Sequence, residues 1–227
     1  MNRLSLLMII ANHLDEEKYI DFLSNENARF KNIIHATGTA SSSVLEYFGL
    51  DEIKKIIMIS LLPYNMSKVV LKHLKQNKNI KINEPGNGIA FTIPLSSASK
   101  YMLERYNETE VEDIKMKQSN QHLIVTIANE GSAESVMSAA KKAGATGGTT
   151  ISGRGLEPNQ IVKVLGLALE PEKDIVLILA SEKNKNKIME KINEKCGSHT
   201  SHAGLCFSLP VEYVVGINNE DEQEKSN

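Results

Sequence analysis

Tryptophan is absent from the 227 residues, cysteine occurs twice, proline six times, and aromatics are limited to five Phe and six Tyr. Two cysteines, Cys196 and Cys206, cannot build the multi-bridge framework of a small secreted protein, which points to a reducing, cytoplasmic setting. No apolar run approaches the ~20 residues of a membrane-spanning helix. The densest runs are Leu6 to Ala11 and Ile56 to Leu62, so the chain does not read as an integral membrane protein. An excess of one charge is missing too, with 26 Lys and Arg against 28 Asp and Glu. The tail Asn218 to Asn227 carries Glu220, Asp221, Glu222 and Glu224 against Lys225, which leaves the remainder near neutrality. Without a basic footprint, nucleic acid is excluded as the expected partner. What is present is 41% apolar and 24% charged residues, enough for a packed core. The opening Arg3 and Leu4 to Ala11 lack a small-x-small cleavage site and run into Asp15-Glu16-Glu17, so they are not read as a signal peptide.

The same segments recur at a near-constant offset. Ile10-Ala11-Asn12 returns as Ile127-Ala128-Asn129, Thr37-Gly38-Thr39 as Ser152-Gly153-Arg154, and Gly49-Leu50 as Gly166-Leu167. Ile56 to Ile59 matches Ile175 to Ile178, and then Asn65, Gly88, Phe91 and Pro94 match Asn184, Gly204, Phe207 and Pro210. An ordered series with small drifts is what duplication with loop insertions leaves, so two copies of one domain are expected.

Each copy reads as β-α-β-β-α-β. In the first, strands are expected at Leu6 to Ala11, Lys31 to Ala36, Ile53 to Leu61 and Ile89 to Ile93, with helices from Asp15 to about Asn25 and Met66 to Gln76. In the second, strands fall at Leu123 to Ala128, Thr149 to Ile151, Ile175 to Ala180 and within Leu205 to Val215. One helix is capped by Ser132 and stopped by Gly144, and another begins at Asn184. The fold class is therefore α+β, two tandem ferredoxin-like domains with antiparallel sheets. Residues 1–98 form the first domain, 99–120 a charged helical linker with Met102, Leu103 and Tyr106 on one face, 121–217 the second domain, and 218–227 a disordered acidic tail.

The run Ala143 to Gly155, the segment Gly204-Leu205-Cys206-Phe207 and the ending Pro210 to Val215 resemble the P-II nitrogen-regulatory signalling proteins. The resemblance covers nearly all of residues 122–217 and is weaker in the first copy. It implies a threefold ring of ferredoxin-like domains, adenine nucleotides in clefts between domains, and a loop between strands two and three that docks on target proteins. The implied effector site comprises Thr149, Thr150, Gly153, Arg154, Gly155 and Gly204. Physically, glycines let backbone N–H groups approach phosphate oxygens and Arg154 supplies a positive fork, although Gly-x-Gly is also an ordinary turn. The family's lysine after the glycine is Leu205 here, and no arginines follow the last strand. A triphosphate would forgo several charge-assisted bonds of roughly 1.5–3 kcal/mol each. Leu156 to Asp174 is the counterpart of the docking loop, and Tyr47 lies in the first copy's loop.

The basic loop is replaced by Cys196-Gly197-Ser198-His199-Thr200-Ser201-His202. His199, His202 and one thiolate, Cys196 or else Cys206, are candidate ligands for a divalent metal, an alternative that would make the chain similar to the CutA-type metal-tolerance proteins. Neither the nucleotide nor the metal is fixed as a cofactor. No Ser-His-Asp, paired-carboxylate or Walker arrangement stands out, so an enzyme is not expected. A ring of such domains closes most simply with three chains of two domains, which makes a homotrimer the expected assembly. The function expected is effector sensing coupled to an unidentified target protein.

Overall fold

In the computed structural model the described residues are 3–26, 28–39, 53–106, 115–155, 162–164, 167–169 and 172–217. They divide into two compact units. The first contains Met1–Ile34, Lys55–Ser119 and Val211–Asn227, and the second His35–Lys54 and Asn120–Pro210. Tyr47, Gly49-Leu50, part of the expected linker and the acidic tail lie outside the described residues.

The first unit contains β1 (Leu4–Asn12), α1 (Glu16–Asn25), the opening of β2 (Arg29–Gly38), β3 (Ile53–Pro63) and α2 (Tyr64–Gln76). It continues with β4 (Gly88–Pro94) and the short helix α3 (Lys100–Tyr106). β1 is central, antiparallel to both β3 and β4, and β2 lies beyond β3. Ile9 stands opposite Met58 and Ala90, so strand alternation puts Leu7, Ile9, Ala11, Ile56, Met58, Leu62 and Ala90 on one face. That face packs on Tyr19, Phe22 and Leu23 of α1 and Val70, Leu71 and Leu74 of α2, which recur at helical spacing. Each such Leu or Ile buried contributes about 1.5–3 kcal/mol.

In the second unit, β5 (Gln121–Asn129) is followed by α4 (Ala133–Lys142), β6 (Thr149–Arg154), the small hairpin β7 (Val162–Val164) and β8 (Leu167–Leu169), and β9 (Glu172–Ser181). Then come α5 (Glu182–Cys196) and β10 (Leu205–Pro210). The sheet order is β10-β5-β9-β6, antiparallel throughout. This repeats the order of the first unit, with the fourth strand beside the first, then the third, then the second. Ile124, Val176, Ile178 and Ala180 pack on Val136, Ala139, Ala140, Ile188 and Ile192. Gly144, at φ +101°, ends α4: its N–H bonds Lys141 O and the Ala145 N–H bonds Ala140 O, the paired bonds of a Schellman motif. On the helix-free face Leu205 is 63% exposed and Phe207 38%.

The units depart from a simple division at the linker in two places. The expected last strand, within Leu205 to Val215, is cut at Pro210, which has no N–H to continue a ladder. Beyond it, β11 (Tyr213–Val215) pairs with β4, and Tyr213 and Val215 enter the core of the first unit. Conversely, the end of β2 belongs to the second unit, where Thr37 and Gly38 pair with Thr150 and Thr149. The described part of the expected linker includes α3, held by buried Tyr106, whose hydroxyl donates to Leu61 O.

Candidate functional site

The candidate effector residues centre on β6. Its register against β9, with Thr150 opposite the core residue Val176, turns Thr150, Ser152 and Arg154 toward the helix side. Thr149 and Gly153 point to the other face, where Thr149 is buried opposite Leu177. The expected cluster is thus divided between the two faces of one strand. Beside it, the N–H and hydroxyl of Thr39 both donate to Gly148 O at 3.0 and 2.9 Å, and Lys141 Nζ donates to Thr39 O at 3.2 Å. The chain leaving β2 is therefore fastened to the residue that leads into β6 within this unit. Within β6, Thr150 Oγ1 is enclosed and has no hydrogen-bond partner. Arg154 is exposed at the end of β6, opposite Glu172.

Gly204 is not part of this cluster. It precedes β10, which β5 and β9 separate from β6, a gap of roughly 14 Å at ordinary strand spacing. Its N–H donates to Cys196 O at 2.8 Å, and a Cβ there would collide with that same oxygen. A side chain is excluded because the two ends of the 197–203 loop must meet.

The three candidate metal ligands diverge. Cys196 is wholly buried in the core of the second unit, and burial pushes its thiol pKa up, away from the thiolate a metal needs. His199 is exposed. His202 Nδ1 lies 2.9 Å from Ser132 Oγ in a hydrogen bond, and its N–H donates to Thr200 Oγ1 at 3.2 Å. Among the described residues no three His, Cys, Asp or Glu side chains are grouped to hold a metal ion. The close sequence spacing fails because a helix end, a turn and a docked imidazole send the side chains in separate directions. Cys206 is partly buried, its pKa also pushed up by burial although Thr126 Oγ1 donates to its sulfur at 3.4 Å.

No family model and no curated protein matches this chain. Solved structures similar to parts of it include CPII from Thiomonas intermedia K12 bound to ADP, AMP and acetate, at 19% identity and a TM-score of 0.32. That match covers 44% of this chain and 93% of CPII. A Thermus thermophilus protein assigned to PII-like signalling is 17% identical, TM-score 0.34, over 47% of this chain and 98% of its own. The B. subtilis GlnK–ATP complex is 20% identical, TM-score 0.30, over 43% and 84%. Likenesses of this size assign neither a family nor an activity to this chain.

Several residues around the 197–203 loop take roles that the sequence did not signal. Ser132 was expected to cap α4, but its hydroxyl is taken by His202, and the buried carboxylate of Asp174 accepts the Ala133 N–H at 2.9 Å instead. Asn129 donates to Ser201 O at 2.9 Å and accepts from Lys173 Nζ at 2.9 Å, while its N–H bonds His202 O. Asp174 and Lys173 reach α4 and β5 only because β9 pairs with β5, a contact far apart in sequence.

Proposed function

We propose that this chain is a PII-like regulatory protein, a tandem duplicate of one ferredoxin-like domain, which binds a small effector at Thr149 to Gly155. The matching strand order of the two units, together with the collinear sequence repeats, supports the duplication. The observation that carries the binding reading is Thr150 Oγ1. An enclosed hydroxyl without a partner costs about 1–3 kcal/mol, a cost that a polar ligand atom removes. The adenine nucleotides are the first ligands to test because of the sequence resemblance. With Leu205 where a lysine would stand and Arg154 facing Glu172 across the strands, a nucleotide of low phosphate charge fits better than a triphosphate.

In this reading the protein performs no chemistry. The effector shifts the population of conformations in the segment between β6 and β9, and one of them docks on a target protein in the cytoplasm. Three chains close a ring of six domains. Calorimetric titration with ATP, ADP, AMP and a cyclic nucleotide tests the site: saturable binding of at least one, lost in Thr150→Val, is the expected result. No heat with any of them removes the nucleotide, and binding unchanged in Thr150→Val removes the site. Light scattering at the mass of a dimer would remove the trimer.

A further inference from the structure

Beside α3 in the first unit lies a half-open cavity of about 710 Å³, within the ~300–1,000 Å³ range of small-molecule pockets. Its walls are apolar, with Leu4, Pro94, Leu95 and Leu103. Two of them are joined by the last bond of the sheet, Leu95 N–H to Leu4 O at 3.1 Å, and Leu4 is buried, so that wall is rigid. The wall bearing Leu103 belongs to α3, which buried Tyr106 anchors at its far end, with the Arg29 guanidinium 6.0 Å from the Tyr106 ring. The polar groups are Arg3, Ser96 and Ser97. Both serines are exposed.

Arg3 is held from three directions. Its carbonyl accepts the Tyr64 N–H at 2.9 Å, its guanidinium lies 5.6 Å from the centre of the Tyr64 ring, and Nη2 pairs with Glu212 Oε1 at 2.9 Å. A guanidinium carries five N–H donors, and one carboxylate oxygen does not exhaust them. The side chain remains 52% exposed. The rim of an apolar cavity therefore presents a pre-oriented guanidinium, paired with Glu212 yet with N–H donors to spare, beside two exposed serines.

We infer that this cavity binds a small amphipathic monocarboxylate, its apolar body between Leu4, Pro94, Leu95 and Leu103 and its carboxylate on Arg3 and the Ser96–Ser97 hydroxyls. A guanidinium already ion-paired to Glu212 keeps N–H donors for one further carboxylate but no surplus charge for a polyphosphate, which separates this site from the one on β6. The test is calorimetry on the full chain with decanoate below its micelle concentration, with decanol as the uncharged control. Decanoate binds saturably, decanol about ten- to a hundredfold more weakly, and Arg3→Gln brings decanoate down to the level of decanol. Leu103→Trp, which fills the cavity from α3, removes binding with an unchanged far-UV spectrum. If that variant is poorly folded, Ala98→Leu serves in its place, since Ala98 also borders the cavity. Absence of saturable binding, or equal affinity in wild type and Arg3→Gln, overturns the proposal. Binding to phosphatidylglycerol vesicles with none to free decanoate overturns it as well. Because the cavity and Thr150 lie in different units, loss of nucleotide binding in Thr150→Val leaves this outcome unaffected.

Discussion

Glu212→Ala should unfasten the last described segment of the chain from the first unit. The Glu212 side chain is only 7% exposed. It accepts from Ser5 Oγ at 2.9 Å and from Arg3 Nη2 at 2.9 Å, while its own N–H bonds Thr92 O and its carbonyl takes the Ser119 N–H. Removing the carboxylate leaves the Ser5 hydroxyl buried without a partner. A hydrogen bond to a charged group is worth about 1.5–3 kcal/mol, and stranding its buried donor falls in the same range. The Arg3 pair adds little, because a half-exposed guanidinium regains water and such pairs are worth ~0–1 kcal/mol. The expected loss is about 2–4 kcal/mol, against less than about 1 kcal/mol for Arg3→Ala. Urea unfolding followed by tyrosine emission reads this directly: there is no tryptophan, and Tyr19, Tyr64, Tyr101, Tyr106 and Tyr213 all belong to the first unit. Ser5→Ala combined with Glu212→Ala should be less destabilised than the sum of the single changes, since the stranded donor is gone. A Glu212→Ala midpoint indistinguishable from wild type would refute the role assigned to this carboxylate.

Thr92 is fully buried with Oγ1 unpartnered, so the near-isosteric Thr92→Val should leave stability unchanged or raise it by about 1 kcal/mol, and a large loss in thermal unfolding would contradict this. Gly204→Ala must displace the Cys196 carbonyl and should cost about 1–3 kcal/mol, whereas Gly153→Ala meets only the Ile175 side chain at 3.2 Å and should cost less; comparable unfolding midpoints would negate the distinction. Tyr19 and Tyr213 have pKa values raised above 10.0 first by burial, then by Asp15 for Tyr19 and by the Tyr64 hydroxyl for Tyr213. The folded state thus holds these protons where the unfolded chain has released them, so stability is intact below pH ~10 and falls as pH rises above it. Absorbance titration of the phenolates should find Tyr19 and Tyr213 ionising only with alkaline unfolding, and their ionisation in the folded protein near pH ~10 would contradict the burial.

Most elements of both units were readable because their signal is local. Val136, Ala139, Ala140 and Ala143 recur at helical spacing and Gly144 stops the helix, and the apolar runs near Leu123 and Ile175 are strands that differ from expectation only at their ends. The candidate sites were read less well. Cys196, His199 and His202 are close in sequence, yet whether they converge depends on a helix end and on a hydrogen bond to Ser132, seventy residues away. Gly204 was grouped with Thr149 to Gly155, but the sheet order separates them.

Local periodicity and turn chemistry in the sequence determined two sets of strands and helices and the antiparallel α+β class, since each rests on neighbours within a few residues; among the described residues no helix is long and apolar enough to cross a membrane. Tertiary structure alone decided that residues 211–217 complete the first unit, that the end of β2 joins the second, and that Thr150 keeps an unanswered hydroxyl. Strand pairing and burial depend on partners far apart along the chain. A short strand such as Tyr213–Val215 fits more than one sheet edge until Tyr213 and Val215 find their core and Glu212 finds Ser5 and Arg3.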